Sequence, residues 1–406
     1  MLSIKTGSFE GMKSLNKSAI MNLIRLQGPI SRAEIAKLTK LTPPTVGSIV
    51  ADLLDANFIK EEEGIAKSQG GRKPIMLTLN SLSYHIIGVY GSAEVITTVV
   101  SNLDGKIIYQ KDKKLSTSPT QEQFLSIIKE CIHLALKEKS LVSSSIIGIG
   151  FAMHGLVDPE KGVAIFAPHL NLKDIPIKET LEKEFSIPVH LENDVRALTL
   201  AESWYGQGRD ISNFMCLSVG QGIGSGLVIN NKIYYGPYHS AGEIGHTILD
   251  VNGPKCHCGN YGCLEAYSSE SAILEKVKRG IRLGRDSILS KEGIEEDCLS
   301  IEMVYNAAKQ GDSLAIETLE ESGRFLGLAI ANLINIFTPS RVILEGQLFQ
   351  AGGDHVLKPI QEMVDRCTLK ISPGSEAIVC STLGKKGMAI GACTLILRDI
   401  FKPGGF

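Results

Sequence analysis

No stretch of this 406-residue chain approaches about eighteen uninterrupted apolar residues, and its opening, MLSIKTGSFEGMKSLNKSAI, lacks the apolar core of a secretion signal. Neither export nor membrane insertion is expected, so the reading is cytoplasmic. Excess charge of one sign is also missing, because 42 Lys and Arg stand against 44 Asp and Glu for a net charge of −2. Taken as a whole, that balance speaks against nucleic acid as a partner. Clustered cysteines are scarce as well: Cys131, Cys216, Cys298, Cys367, Cys380 and Cys393 stand singly in apolar segments. That scatter fits a reducing compartment and not a disulfide scaffold. A hydrophobic content of 43% with 21% charged residues is that of a soluble globular protein with a substantial core, long enough for two or three domains.

The charge average hides a split. Residues 1–80 hold 11 Lys and Arg against 7 Asp and Glu, a balance of +4, which leaves −6 for the rest. Only the front invites a phosphate backbone. There a helical pattern runs from about Ser14 to Gln27, stopped by Gly28-Pro29. Ser31-Arg32-Ala33-Glu34 reads as a capping box opening a short helix over 32–39. Thr42 caps a third helix with Pro43 at its first position; Val46, Ile49, Val50, Leu53 and Leu54 form its buried stripe. Its other face offers Thr42, Thr45 and Ser48, small polar groups suited to base edges and phosphates. Two helices on a short turn make a helix-turn-helix, and strands at Phe58–Lys60 and Ile75–Leu79 add a wing. Between them, Gly70-Gly71-Arg72-Lys73-Pro74 is similar to the core of an AT-hook, which enters a narrow minor groove. Arg32, Thr42, Thr45, Ser48, Arg72 and Lys73 are the candidate DNA contacts. The alternative for this region is a three-helix interaction domain with a basic linker.

From about Ser83 strands and helices alternate. Strands are expected at His85–Val89, Val95–Ser101, Lys106–Gln110, Ile146–Ala152, Phe214–Val219, Leu227–Ile229 and Arg341–Glu345, a helix at Gln121–Lys139, and mostly helix over 268–338. Gly220 to Gly226 reads as a glycine-rich loop between strands, open equally to an anion or to a tight turn. The pattern of meander, helix and strand in two halves argues for two α/β lobes around a cleft. The most distinctive chemistry is His246 with Cys256, Cys258 and Cys263, three thiols and an imidazole within eighteen residues. This is the ligand set of a closed tetrahedral zinc site, a clamp with no vacant position for Lewis-acid work. The alternative is three buried cysteines without metal. Glu243 and Glu265 flank the ligands as acceptors suited to sugar hydroxyls.

GFAMHGLVDPEKGVAIFAPHLN, HLENDVRALTLAESWYGQG and AGEIGHTILDVNGPKCHCGNYGCLEAY, behind a winged helix, resemble the ROK group of repressors, open reading frames and sugar kinases over nearly the whole chain. The front end and GGRKP segment resemble the branch of the xylose and N-acetylglucosamine repressors. The resemblance implies an α/β, two-lobed, actin-like (ribonuclease-H-like) ATPase-type fold after the winged helix. Its domains would be 1–80 for DNA, 83–196 as a first lobe completed by a helix over 388–406, and 197–387 as a second lobe with the zinc motif and a helical dimerisation region. It further implies sugar contacts from Asn171, Asn193, Asp194, Glu243, His246 and Glu265, with zinc on His246, Cys256, Cys258 and Cys263. Judged alone, Asn193-Asp194 reads also as a helix cap before Val195.

Kinases of the group open their nucleotide lobe with an Asp-x-Gly-Gly-Thr turn, and the segment here is Gly88-Val89-Tyr90-Gly91-Ser92-Ala93-Glu94. Tyr90, Ala93 and Glu94 each oppose ATP and magnesium, which are not expected. Gln221 and the Glu345-Gly346 pair depart from the kinase pattern too, and His154 stands where many relatives have Pro. Asp194 would be the base in a kinase, and a sugar-binding protein needs it as well. The expected function is a sugar-responsive repressor of a carbohydrate-utilisation operon, a non-enzyme acting as a homodimer or dimer of dimers on operator DNA with a monosaccharide effector. Two alternatives remain: an ATP-dependent hexose kinase fused to a DNA-binding domain, and a DNA-bound scaffold.

Overall fold

A computed structural model describes residues 9–62, 74–116, 118–138, 145–291 and 298–401. The front forms helices α1 (Phe9–Gln27), α2 (Arg32–Thr39) and α3 (Pro43–Asp55) with strands β1 (Ile30–Ser31), β2 (Ile59–Glu62) and β3 (Met76–Leu79), ordered β1-β3-β2. The local chemistry dictates these bounds. The Glu34 amide donates to Ser31 Oγ at 3.2 Å and the Ser31 amide to Glu34 Oε2 at 2.9 Å, which closes the capping box. Lys40, left-handed at φ 58°, ends α2. Ile24, Ile35, Val46, Val50, Leu53 and Leu77 bury the stripes of the three helices and the wing together. α1 starts at Phe9, ahead of its apolar stripe.

Contacts divide the chain into two units, Met1–Ala197 with Ala389–Phe406, and Leu198–Met388. In the first, β4 (Tyr84–Gly91), β5 (Val95–Asn102) and β6 (Ile107–Lys114) form a meander, followed by α4 (Gln121–Leu136) and β7 (Ser145–Met153). A small sheet of β8 (Leu156–Asp158), β9 (Val163–Ala167) and β10 (Leu172–Ile175) precedes α5 (Ile177–Phe185), β11 (Val189–Asn193) and α6 (Asp194–Tyr205). The main sheet runs β11-β7-β4-β5-β6, with β4, β7 and β11 parallel. Its core, including Ile87, Val100, Phe124, Ile149, Phe151 and Leu181, lies against α4 and α5. α14 (Gly387–Phe401) packs on β4 and β7 at glycines: a Cβ on Gly88 would stand 2.5 Å from Ala389 O, and one on Gly150 1.7 Å from Ala392 O. Backbone lies on backbone there.

The winged helix is fastened to this unit. Tyr84 at the start of β4 donates its hydroxyl to Ala56 O, the C-cap of α3, at 2.8 Å, and its ring lies 4.8 Å from Phe58. At the other side Asn22 of α1 donates to Phe401 O at 2.6 Å, and the Arg25 guanidinium stands 5.1 Å over the Phe401 ring.

The second unit repeats the plan. β12 (Phe214–Val219), β13 (Ile223–Ile229) and β14 (Lys232–Ile233) form a meander, and β15 (Arg341–Glu345) and β16 (Ile378–Cys380) extend it in parallel, ordered β14-β13-β12-β15-β16. Its helices are α7 (Glu265–Ser268), α8 (Glu270–Arg282), α9 (Ile288–Lys291), α10 (Ile301–Lys309), α11 (Ser313–Phe337), α12 (Gln347–Ala351) and α13 (Asp354–Cys367). The glycine-rich stretch is mostly strand. Ser218 pairs Gly224 and Cys216 pairs Gly226 in an antiparallel ladder, so only Gly220 to Gly222 form the connection. Gly226 lies where a Cβ would meet Thr199 Oγ1 at 2.0 Å; it is there for packing. No helix among the described residues is long and apolar enough to cross a membrane.

Candidate functional site

In the second unit a 3-10 turn, Ile244–His246, presents the imidazole, and a narrow hairpin presents the thiols. The Cys256 amide donates to Asn260 O at 2.8 Å and the Gly259 amide to Cys256 O at 3.0 Å, with Gly259 at φ 96° making the tight turn. Gly262, at φ 72°, sits where a Cβ would fall 1.6 Å from Asp250 O. The four ligand atoms of His246, Cys256, Cys258 and Cys263 lie within 4.8 Å of one another. Cys256 Sγ is 3.7 Å from His246 Nδ1, and Cys258 Sγ is 3.7 Å from Cys263 Sγ. Sulfurs about 2.3 Å from a common tetrahedral centre are about 3.8 Å apart, so the spacing fits a metal; disulfide sulfurs would be about 2.05 Å apart. All cysteines here are free. Burial pushes the Cys256 thiol up to about 12, so a metal bound there must displace its proton.

Glu265 ties this cluster to the β12–β13 turn. Its Oε2 accepts from the Ile223 amide at 3.1 Å while Oε1 stands 3.7 Å from Cys256 Sγ. Sequence reasoning missed that link, since it joins residues 42 apart. Glu243 caps the 3-10 turn only by position and is exposed.

In the first unit, Asn193 closes β11 and Asp194 opens α6. Asn193 Oδ1 accepts from the Val195 and Arg196 amides at 3.0 and 3.1 Å, so it caps the helix. Its Nδ2 reaches Gly155 O and Asp194 Oδ1, both at 3.0 Å. Asn193 thereby aims the carboxylate of Asp194, which is 8% exposed. Asn171 follows a 3-10 turn, Pro168–Leu170, in left-handed conformation at φ 52° and is exposed.

The turn after β4 is closed on itself. Ser92 Oγ accepts from the Val95 amide at 2.9 Å and the Glu94 amide at 3.3 Å and donates to Val95 O at 2.9 Å. Those amides are already committed. Tyr90 packs against Ala152, Ala197 and Ala392. In the second unit Glu345 is half-buried and accepts from Ser218 Oγ at 2.7 Å, and desolvation pushes its pKa up from the ordinary value.

On the winged helix, the Thr42 and Thr45 hydroxyls are 2.8 Å apart at the N-terminus of α3, and Ser48 is exposed one turn on. Arg32 pairs with Glu61 of β2 at 2.6 Å, both about one third exposed at 36% and 39%. A pair so exposed is worth about 0–1 kcal/mol and yields readily to a phosphate. Arg72 and Lys73 lie outside the described residues.

The arrangement defines a class: a winged DNA-binding helix on a duplicated, actin-like α/β body with a thiol–imidazole cluster that could hold a metal. Comparison with known proteins gives the family, because the ROK family model matches residues 86–399 and a winged helix-turn-helix DNA-binding model matches residues 14–60. The chain belongs to the ROK family. It is 30% identical to the xylose repressor of Caldicellulosiruptor bescii (strain ATCC BAA-1888 / DSM 6725 / KCTC 15123 / Z-1320), covering 97% of this chain and 98% of that one. It is 33% identical to the N-acetylglucosamine repressor of Escherichia coli O157:H7, over 97% and 94%. Among solved structures, a ROK family transcriptional regulator described as a homologue of the E. coli MLC protein matches with a TM-score of 0.85 at 28% identity, covering 97% and 98%.

Proposed function

We propose that this chain is a sugar-responsive transcriptional repressor of a carbohydrate-utilisation operon. The observation that carries the reading is the fastening of the winged helix, through Tyr84 of β4 and Phe401 of α14, to the unit whose sheet carries Asn193 and Asp194. A ligand that shifts this unit between two states would change the operator affinity of α3 by the same free energy. The effector is a monosaccharide or a derivative, contacted by Asn171, Asn193, Asp194, Glu243, His246 and Glu265. Relatives named for two different sugars leave its identity to measurement. Operator contacts come from Arg32, Thr42, Thr45, Ser48, Arg72 and Lys73. One recognition helix per half-site calls for a homodimer or dimer of dimers on a symmetric operator.

His246, Cys256, Cys258 and Cys263 hold zinc, which supplies no chemistry beyond fixing the hairpin and the direction of Glu265. The chain is not an enzyme in this reading. The self-closed turn at Ser92 and the half-buried Glu345 support a body that no longer takes ATP and magnesium. The test is a gel-shift titration of operator DNA with wild type and Asp194→Ala, with and without each sugar of a monosaccharide panel. Sugar should release wild type and leave Asp194→Ala bound. Sugar-dependent ADP formation at about 1 per second or faster would favour the kinase instead.

A further inference from the structure

His154 stands at the carboxyl edge of the first sheet, just past the end of β7. β4, β7 and β11 are parallel and end in register, with Gly91 opposite Met153 and Met153 opposite Asn193. The next residues off β7 and β11 are His154 and Asp194. In open α/β sheets ligands gather at the carboxyl ends of parallel strands. His154 is 8% exposed, and its Nδ1 lies 3.0 Å from Gly91 O. A carbonyl only accepts, so Nδ1 carries the proton and Nε2 presents a lone pair. Burial holds the ring neutral, its pKa lowered to about 4. Nε2 is shut off from solvent with no partner among the described residues, an arrangement that a protein relieves with an ordered water or a ligand. The neighbouring ring, 5.8 Å away between centroids, is His169, which is solvent-exposed. The adjoining Gly155 O is the atom that holds Asn193.

We propose that Nε2 of His154 accepts a hydrogen bond from a hydroxyl of the effector and so selects an unphosphorylated sugar at that position. This rests on the sugar-effector reading above. A hydroxyl has a proton to give; a phosphate dianion at the same place has only lone pairs and would face a lone pair. The residue thus reads the ester state of the sugar, which Asp194, an acceptor for any hydroxyl, does not do at that position.

The test is calorimetry on wild type, Asp194→Ala and His154→Phe with D-xylose, D-glucose and N-acetyl-D-glucosamine. The monodeoxy analogues of whichever sugar binds, and its phosphate esters, complete the panel. Imidazole NMR of wild type with ¹⁵N-labelled histidine runs beside it, so that a fold defect in His154→Phe does not decide the matter. Wild type should bind a free sugar; His154→Phe should bind it about tenfold more weakly. One monodeoxy analogue should lose affinity for wild type and lose nothing further for His154→Phe, and the Nε2 resonance of His154 should move when the sugar is added. Three results overturn the proposal. Unchanged binding by His154→Phe with an unmoved Nε2 resonance, while Asp194→Ala has lost the sugar, makes His154 a core residue bonded to water and leaves the sugar reading intact. A phosphate ester bound by wild type as tightly as the free sugar, at every ester position, removes the selection. No sugar bound by wild type refutes the sugar reading itself, and this one with it.

Discussion

Cys256 and His154 are buried groups held by their surroundings in one protonation state, and each makes a different measurable demand. A metal on Cys256 must displace a proton from a thiol that burial raises to about 12. Apparent metal affinity should therefore fall about tenfold per pH unit for each thiol proton displaced. Competition with a chromogenic zinc chelator between about pH 8 and about pH 6 reads this slope. Elemental analysis should give about one zinc per chain in wild type and almost none in Cys256→Ala. His154 acts through linkage. Its folded pKa of about 4 lies below the unfolded value of about 6.5. Between those values the unfolded chain binds a proton that the folded chain refuses. The stability is thus fully present above about pH 6.5 and falls by up to about 3 kcal/mol as pH drops towards 4. In a urea midpoint measured against pH, His154→Phe should flatten that acid limb relative to wild type; parallel curves would place the titration elsewhere.

Among the elements, α3 and α14 respond oppositely to an added methyl. A Cβ on Gly47, inside α3, has nothing within 4 Å. Gly47→Ala should raise stability by about 0.5–1 kcal/mol through helix propensity alone. Gly150→Ala would drive a methyl into Ala392 O, lifting α14 from β7 at a loss of about 3 kcal/mol or more, read as a lowered thermal midpoint. The contrast also marks what a sequence makes legible. α2 and α3 are written in their own residues: Ser31 with Glu34, Thr42 with Pro43, and a stripe from Val46 to Leu53. The thiol and imidazole spacing of the metal cluster is equally local. The run from Gly220 to Gly226 misleads, because its glycines suggest a loop while Gly224 and Gly226 sit in β13. For Gly226 the reason is the nearby Thr199, a long-range contact that no local pattern encodes. Ser92 is an intermediate case: a serine three residues before Val95 is a turn signal available from sequence. Tyr84 with Ala56, and Asn22 with Phe401, had no such signal.

For the molecule as a whole, those last two contacts carry the prediction that separates binding from response. Tyr84→Phe keeps the ring against Phe58 and removes only the hydroxyl that reaches Ala56 O. Together with Asn22→Ala, which removes the donor to Phe401 O, it should leave operator and sugar binding each within about threefold of wild type. The factor by which sugar changes operator affinity should meanwhile shrink towards one, from the 5- to 150-fold or so usual for such coupling. Calorimetry and gel shift on the double variant measure the three quantities, and an unchanged factor would place the coupling elsewhere. α14 has one more consequence, and it concerns the order of events in a growing chain. The sheet it backs is spelled out by residues 84–193, yet the helix that covers it waits until 387–401, after the whole second unit has been made. While a ribosome is still reading the middle of the message, Gly88 and Gly150 face no partner, and α1 lacks the Phe401 carbonyl that Asn22 will grip. The second unit can condense as it emerges, whereas the first must hold an open flank until residues 387–401 have been made. A nascent chain thus has its recognition helix long before it has the platform that steadies it, and only a copy that has gained α14 can be answerable to sugar.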